Sequence, residues 1–199
     1  MASNRTKEMS QAISLQDTLA RKRSAILRKW LGLIADTYPA GYKLFENKDR
    51  FTNPVGYTYS SEIETIYDEL LQGNTKSEKV AHSLDRIIRI TAVQEMNPSQ
   101  AIGFIFLLKQ AIRHELGRSA SDTNVLQGLL EVNYKIDELV FTAFDMFASC
   151  RERIIELRVD QVKTDRDNAF RLMEKMLLKR EELEDVFTSG YNNGSEDIE

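Results

Sequence analysis

The residues of this chain that could do chemistry are two histidines, one cysteine and a knot of polar side chains within an apolar stretch. His82 shares a helical face with Asp85, Arg86 and Arg89, an arrangement that suits solvent. His114 closes an apolar helical run, where a cation complements the helix dipole. A proximal haem ligand emerges from an apolar pocket wall, and neither histidine sits on the strongest apolar face of its helix. No cofactor is therefore expected, with a helical sensor of a small ligand or haem as the alternative. His114-Glu115-Leu116 opens like a histidine phosphoacceptor box, but Gly117-Arg118-Ser119 departs from it and no glycine-rich nucleotide lid follows. It also lacks the second histidine that a zinc-protease helix needs four residues on. Cys150 has Arg151 and Arg153 nearby, cations that would activate an exposed thiolate. On the Phe147 side of an apolar stripe it reads instead as a small core residue. A single cysteine closes no internal disulfide and, with so few histidines, no metal site. No P-loop, dinucleotide fingerprint or Ser-His-Asp arrangement appears, so no enzyme is expected.

The polar knot is Arg89, Thr91, Gln94, Asn97 and Gln100, around the corner at Met96 to Pro98. Buried polar groups need partners, so a network that fixes the corner is expected. The functional alternative is a small polar pocket between two helices. A basic run, RKRSAILRK, carries five cations between Arg21 and Lys29, opposite Leu19, Ile26, Leu27 and Trp30. In a chain of net charge −4 this reads as the solvated side of a helix, and no nucleic-acid partner is expected.

The elements that position these residues are helices. Each of the three prolines, Pro39, Pro54 and Pro98, stands where a helix begins, and two follow an asparagine that can cap free amides. Asn97-Pro98-Ser99-Gln100 adds a glutamine able to reach back as a capping box. The apolar spacing predicts helices over 15–38, 54–72 and 77–96, with Gly73 as a stop. The helix over 98–116 is apolar almost all round at Ile102 to Leu108, which predicts a central element; a strand at 104–108 is the competing reading. A turn with Tyr42, Leu44 and Phe45 and a cap at Asp122 complete the pattern.

Residues 123–187 hold no proline and, in that stretch, only Gly128 as glycine, so one long helix is predicted. Its stripe of Leu126, Leu129, Ile136, Leu139, Val140, Phe144, Phe147, Ile154 and Leu157 fades over 158–168 and returns at Ala169, Leu172, Met176, Leu183 and Val186. A stripe that continues past a core pairs with another helix, so a coiled coil and a homodimer are expected. Phe144, Phe147, Ile154, Leu157, Leu172 and Met176 are the candidate dimer and transmission residues. Folding back onto its own bundle is the alternative. The domain organisation expected is a flexible N-terminus over 1–14, a helical domain over 15–163, a helical extension over 164–187 and a disordered acidic tail over 188–199.

With 42% hydrophobic and 29% charged residues among 199, the composition is that of a globular protein. The polar start lacks a secretory pattern, and the longest apolar run falls far short of the ~20 residues that cross a bilayer. A soluble, cytoplasmic protein with no membrane partner is expected.

The segments RKRSAILRKWLGLIADTYP, DRFTNPVGYTY, IIRITAVQEMNPSQAIGFIFLLKQAIRHEL and FDMFASCRERIIELRVDQV, in that order, resemble the amino-terminal domain of RsbRD-type proteins. These are co-antagonists of the RsbT kinase in bacterial stress signalling, and a similar domain precedes some histidine kinases. The resemblance spans roughly 15–163 and implies a regulatory input domain. It further implies a dimeric, globin-like helical fold without haem. In such proteins the last helix leads to a STAS or kinase output domain. Neither is found in this sequence, so output is expected through the C-terminal helix or an unidentified signalling partner.

Overall fold

The computed structural model describes residues 15–38, 49, 51–94, 96–117, 120 and 123–192, and among these the secondary structure is helical with no strand. The helices are α1 Leu15–Arg21, α2 Arg23–Asp36, α3 Pro54–Gln72, α4 Glu78–Val93, α5 Pro98–Leu116 and α6 Thr123–Asn192. They divide into two compact units, Met1–Arg151 and Glu152–Glu199.

Local chemistry sets the ends of the helices. The Asn53 side chain accepts from the Gly56 amide at 2.9 Å, leaving Pro54 in the first turn, where its missing N–H costs nothing. Gly73 ends α3 with φ of 79°, a left-handed conformation open to glycine without strain. Ser77 caps α4, its hydroxyl accepting from the Val80 amide at 3.3 Å. Gln100 returns its side-chain oxygen to the Asn97 amide at 3.2 Å, the back-reaching half of a capping box. Pro39, the 42–45 turn, Asp122 and residues 1–14 lie outside the described residues.

In the first unit α3 packs chiefly on α4, and α2 on α5. Trp30 stacks on Phe104 with ring centroids 6.5 Å apart, and its indole N–H donates to the Phe104 carbonyl at 2.6 Å. Tyr59 meets Phe104 edge-on at 5.9 Å and shares a 2.8 Å hydrogen bond with the Tyr38 hydroxyl. Burial pushes the Tyr59 hydroxyl well above the ordinary tyrosine range and raises that of Tyr38. The polar side of α3 is tied to its neighbours. Buried Glu62 pairs with Arg86 at 2.6 Å, and buried Glu69 with Lys79 at 3.2 Å.

Three expectations need correction. The helix predicted over 15–38 is interrupted at Lys22, although no glycine or proline stands there. The break coincides with the Lys22 ammonium reaching across to the Glu115 carbonyl in the last turn of α5. Second, α5 is not enclosed on every side: Phe106, Gln110 and Arg113 form an open line, with the Lys109 ammonium 5.7 Å from the Phe106 ring centre. Third, α6 continues through 188–192, which the sequence reading gave to a disordered tail; residues 193–199 lie outside the described part.

In the second unit, every described side chain from Glu152 to Glu184 is exposed except that of Ile154, which is half-buried. The helix there is laced by neighbouring side-chain pairs, among them Gln161–Asp165 at 2.8 Å and Arg180–Glu184 at 2.9 Å. Among the described residues, no helix is long and apolar enough to cross a membrane.

Candidate functional site

The five corner residues do not converge. Thr91 is buried and its hydroxyl donates to the Ile88 carbonyl at 2.9 Å. Arg89 faces solvent and pairs along its own helix with Asp85 at 2.7 Å, which raises its guanidinium pKa. Gln94, Asn97 and Gln100 are exposed. In place of a shared network these residues make a helix cap at Asn97 and Gln100 and a surface ion pair at Arg89. The reason is rotational: successive corner residues fall on different faces of α4 and α5, and only Thr91 points inward. His82 and His114 are likewise exposed, the latter with its Nδ1 3.1 Å from Glu115.

The long helix is the more informative element. Within the first unit α6 carries two apolar faces. Leu129, Ile136, Leu139, Val140, Ala143 and Phe147 are buried. Leu130, Tyr134, Phe141 and Phe144 are exposed, Tyr134 at 68% and Phe141 at 71%. Burying one such side chain is worth about 1.5–3 kcal/mol, so an exposed apolar row of this kind marks an interaction surface.

The exposed row has a strict register in the sequence. Tyr134, Phe141, Ala148, Ile155, Val162, Ala169, Met176 and Leu183 follow one another at intervals of seven residues. On a straight helix such a line drifts by ~20° per repeat, so an apolar heptad is kept on one face only by left-handed supercoiling with another helix. The heptad line three residues further on is mixed, with Leu130, Phe144 and Leu172 interspersed with Asp137, Arg151, Arg158, Asp165 and Lys179.

This register sorts the six residues singled out from the sequence. Phe144, Leu172 and Met176 fall on these two heptad lines. Phe147 and Ile154 lie on the neighbouring line; Phe147, 3% exposed, is consumed by the first unit's own core. Leu157 is exposed on the opposite side of the helix from Ile155. Two stripes at three and four spacing had merged into one, because their lines lie about 100° apart on the helix.

Polar tethers hold α6 within the first unit. Lys109 pairs with Asp137 at 2.6 Å, and Thr75 and Lys76 both meet Glu138, each at 3.3 Å. Arg151 donates to the Ala92 carbonyl at 3.1 Å, placing a cation on the C-terminal end of α4, beside the corner. Sequence reasoning missed these tethers because each joins residues far apart in the chain.

The family described as the RsbT co-antagonist protein rsbRD N-terminal domain matches residues 24–162. A protein of Archaeoglobus fulgidus, described as an uncharacterized protein, is 30% identical over 100 residues, covering 50% of this chain and 62% of that relative. No solved structure matches.

Proposed function

This chain belongs to the RsbT co-antagonist rsbRD N-terminal domain family, and on that premise we propose that it is a non-catalytic, cytoplasmic input or adaptor protein of stress signalling that acts as a homodimer. The observation that carries the reading is the exposure of Tyr134 and Phe141 in the first unit, which open an apolar heptad line that the sequence continues to Leu183. A second copy supplies the same row and covers it as a coiled coil. A signal received by the helices of the first unit reaches α6 through Lys109–Asp137, Thr75–Glu138 and Arg151–Ala92, bonds that can exchange without disturbing the apolar core. The downstream partner then reads the paired helices.

The test is mass in solution. Light scattering on the full chain should give a dimer, and the double variant Phe141→Asp, Ile155→Asp should give a monomer with its helical circular dichroism largely kept. A monomeric parent chain would sink the reading.

A further inference from the structure

A groove between α2 and α3, with no α6 residue in its lining, has the makings of a ligand site. Its volume is about 420 Å³, within the range of small-molecule pockets. Leu27, Leu31 and Ile63 form an apolar wall, with Leu27 and Ile63 buried. Set into that wall is Ser60, 9% exposed, whose hydroxyl has no hydrogen-bond partner among the described residues. This is unusual for a helix interior, where a hydroxyl commonly bonds the carbonyl four residues back. Thr58 and Thr65 on the same helix do so, to Pro54 at 2.8 Å and Ser61 at 3.4 Å. A buried hydroxyl left single costs free energy; its oxygen is itself shielded, and a turn of the side chain toward an acceptor in the groove would recover that cost.

The charges select the ligand. Arg23, on the groove's edge, is held by Asp68 at 2.6 Å and by Glu64 at 3.3 Å, so its charge is already answered. Arg28 also lines the groove and has no ion pair among the described residues. One uncompensated guanidinium suits one negative charge, and the nearby Glu64 carboxylate disfavours a dianion. A planar carboxylate matches the guanidinium fork and leaves an oxygen for a serine hydroxyl.

We infer that the α2–α3 groove binds a small amphipathic carboxylate, its head on Arg28 and the Ser60 hydroxyl and its apolar body on Leu27, Leu31 and Ile63. This builds on the input-domain reading by naming what the input takes. Binding and self-association are measured separately, so either can fail alone.

The probe is hexanoate, titrated calorimetrically into the full chain, with hexan-1-ol and inorganic phosphate as comparators. Hexanoate should saturate and raise the thermal midpoint, and both comparators should bind at least about tenfold more weakly. Arg28→Gln should cost roughly tenfold or more in hexanoate affinity. Ser60→Ala should raise the midpoint of the free protein, because a lone buried hydroxyl is removed, while weakening hexanoate. Absence of saturable hexanoate binding, equal binding by Arg28→Gln, or a midpoint lowered by Ser60→Ala would each overturn the proposal. Light scattering on the same samples reports the dimer independently.

Discussion

The α6 helix meets its surroundings differently before and after Arg151. Up to Phe147, one apolar face is filled by the chain's own helices and a second is left open. From Glu152 to Glu184, only Ile154 is even half-covered. Both parts carry apolar residues at three and four spacing, yet only one satisfies them internally. Periodicity therefore reports a demand for burial and says nothing of which molecule meets it.

The comparison can be broken most forcibly at the core. Trp30→Ala removes a fully buried ring and its bond to Phe104, and should cost about 3–5 kcal/mol in denaturant unfolding followed by circular dichroism. A loss under about 1 kcal/mol would mean that the first unit's helices do not depend on this packing. The two faces of α6 can then be set against each other within a few residues. Phe147→Ala should cost about 3 kcal/mol. Phe141→Ala should change the stability of monomeric protein by under about 1 kcal/mol and act on association instead. Equal losses would show that the two faces are not separate. The smallest effect is the pH dependence of Glu69. The Ser77 hydroxyl and then the Lys79 ammonium hold its carboxyl below the ordinary value of 4.5. A depressed folded-state pKa gives stability that is present above that value and is lost as the pH falls through the folded one. Glu69→Gln should therefore flatten the acid limb of a midpoint-against-pH curve below about 4.5 and leave its neutral part unsloped. An unchanged acid limb would assign the acid sensitivity to other groups.

What could be read from the sequence was what neighbours in the chain decide. Asn53-Pro54, Gly73, Ser77 and the Asn97–Gln100 turn set helix ends through contacts a few residues long, and each helix begins or stops where those residues indicated. The all-helical class followed from the same signals. What distant residues decide was not legible. The interruption at Lys22 coincides with a contact to a carbonyl in α5, and the buried Glu62 is paired with Arg86 from the next helix. Ser60 carried no local mark at all, since a serine in a helix becomes notable only when its hydroxyl is found buried and single. The polar corner misled for the opposite reason. Its residue types suggested convergence, but helix rotation sends Arg89, Gln94 and Gln100 to solvent.

Trp30 is the chain's single tryptophan, and it lies wholly within the first unit, stacked on Phe104 with its N–H engaged. Tryptophan emission, excited at the red edge of the band where tyrosine does not absorb, thus reports on one place alone. Its emission should shift to the red when α2 and α5 part, and stay constant when events are confined to residues beyond 152. The protein carries an unlabelled optical gauge that separates loosening of its core from rearrangement of its exposed helix.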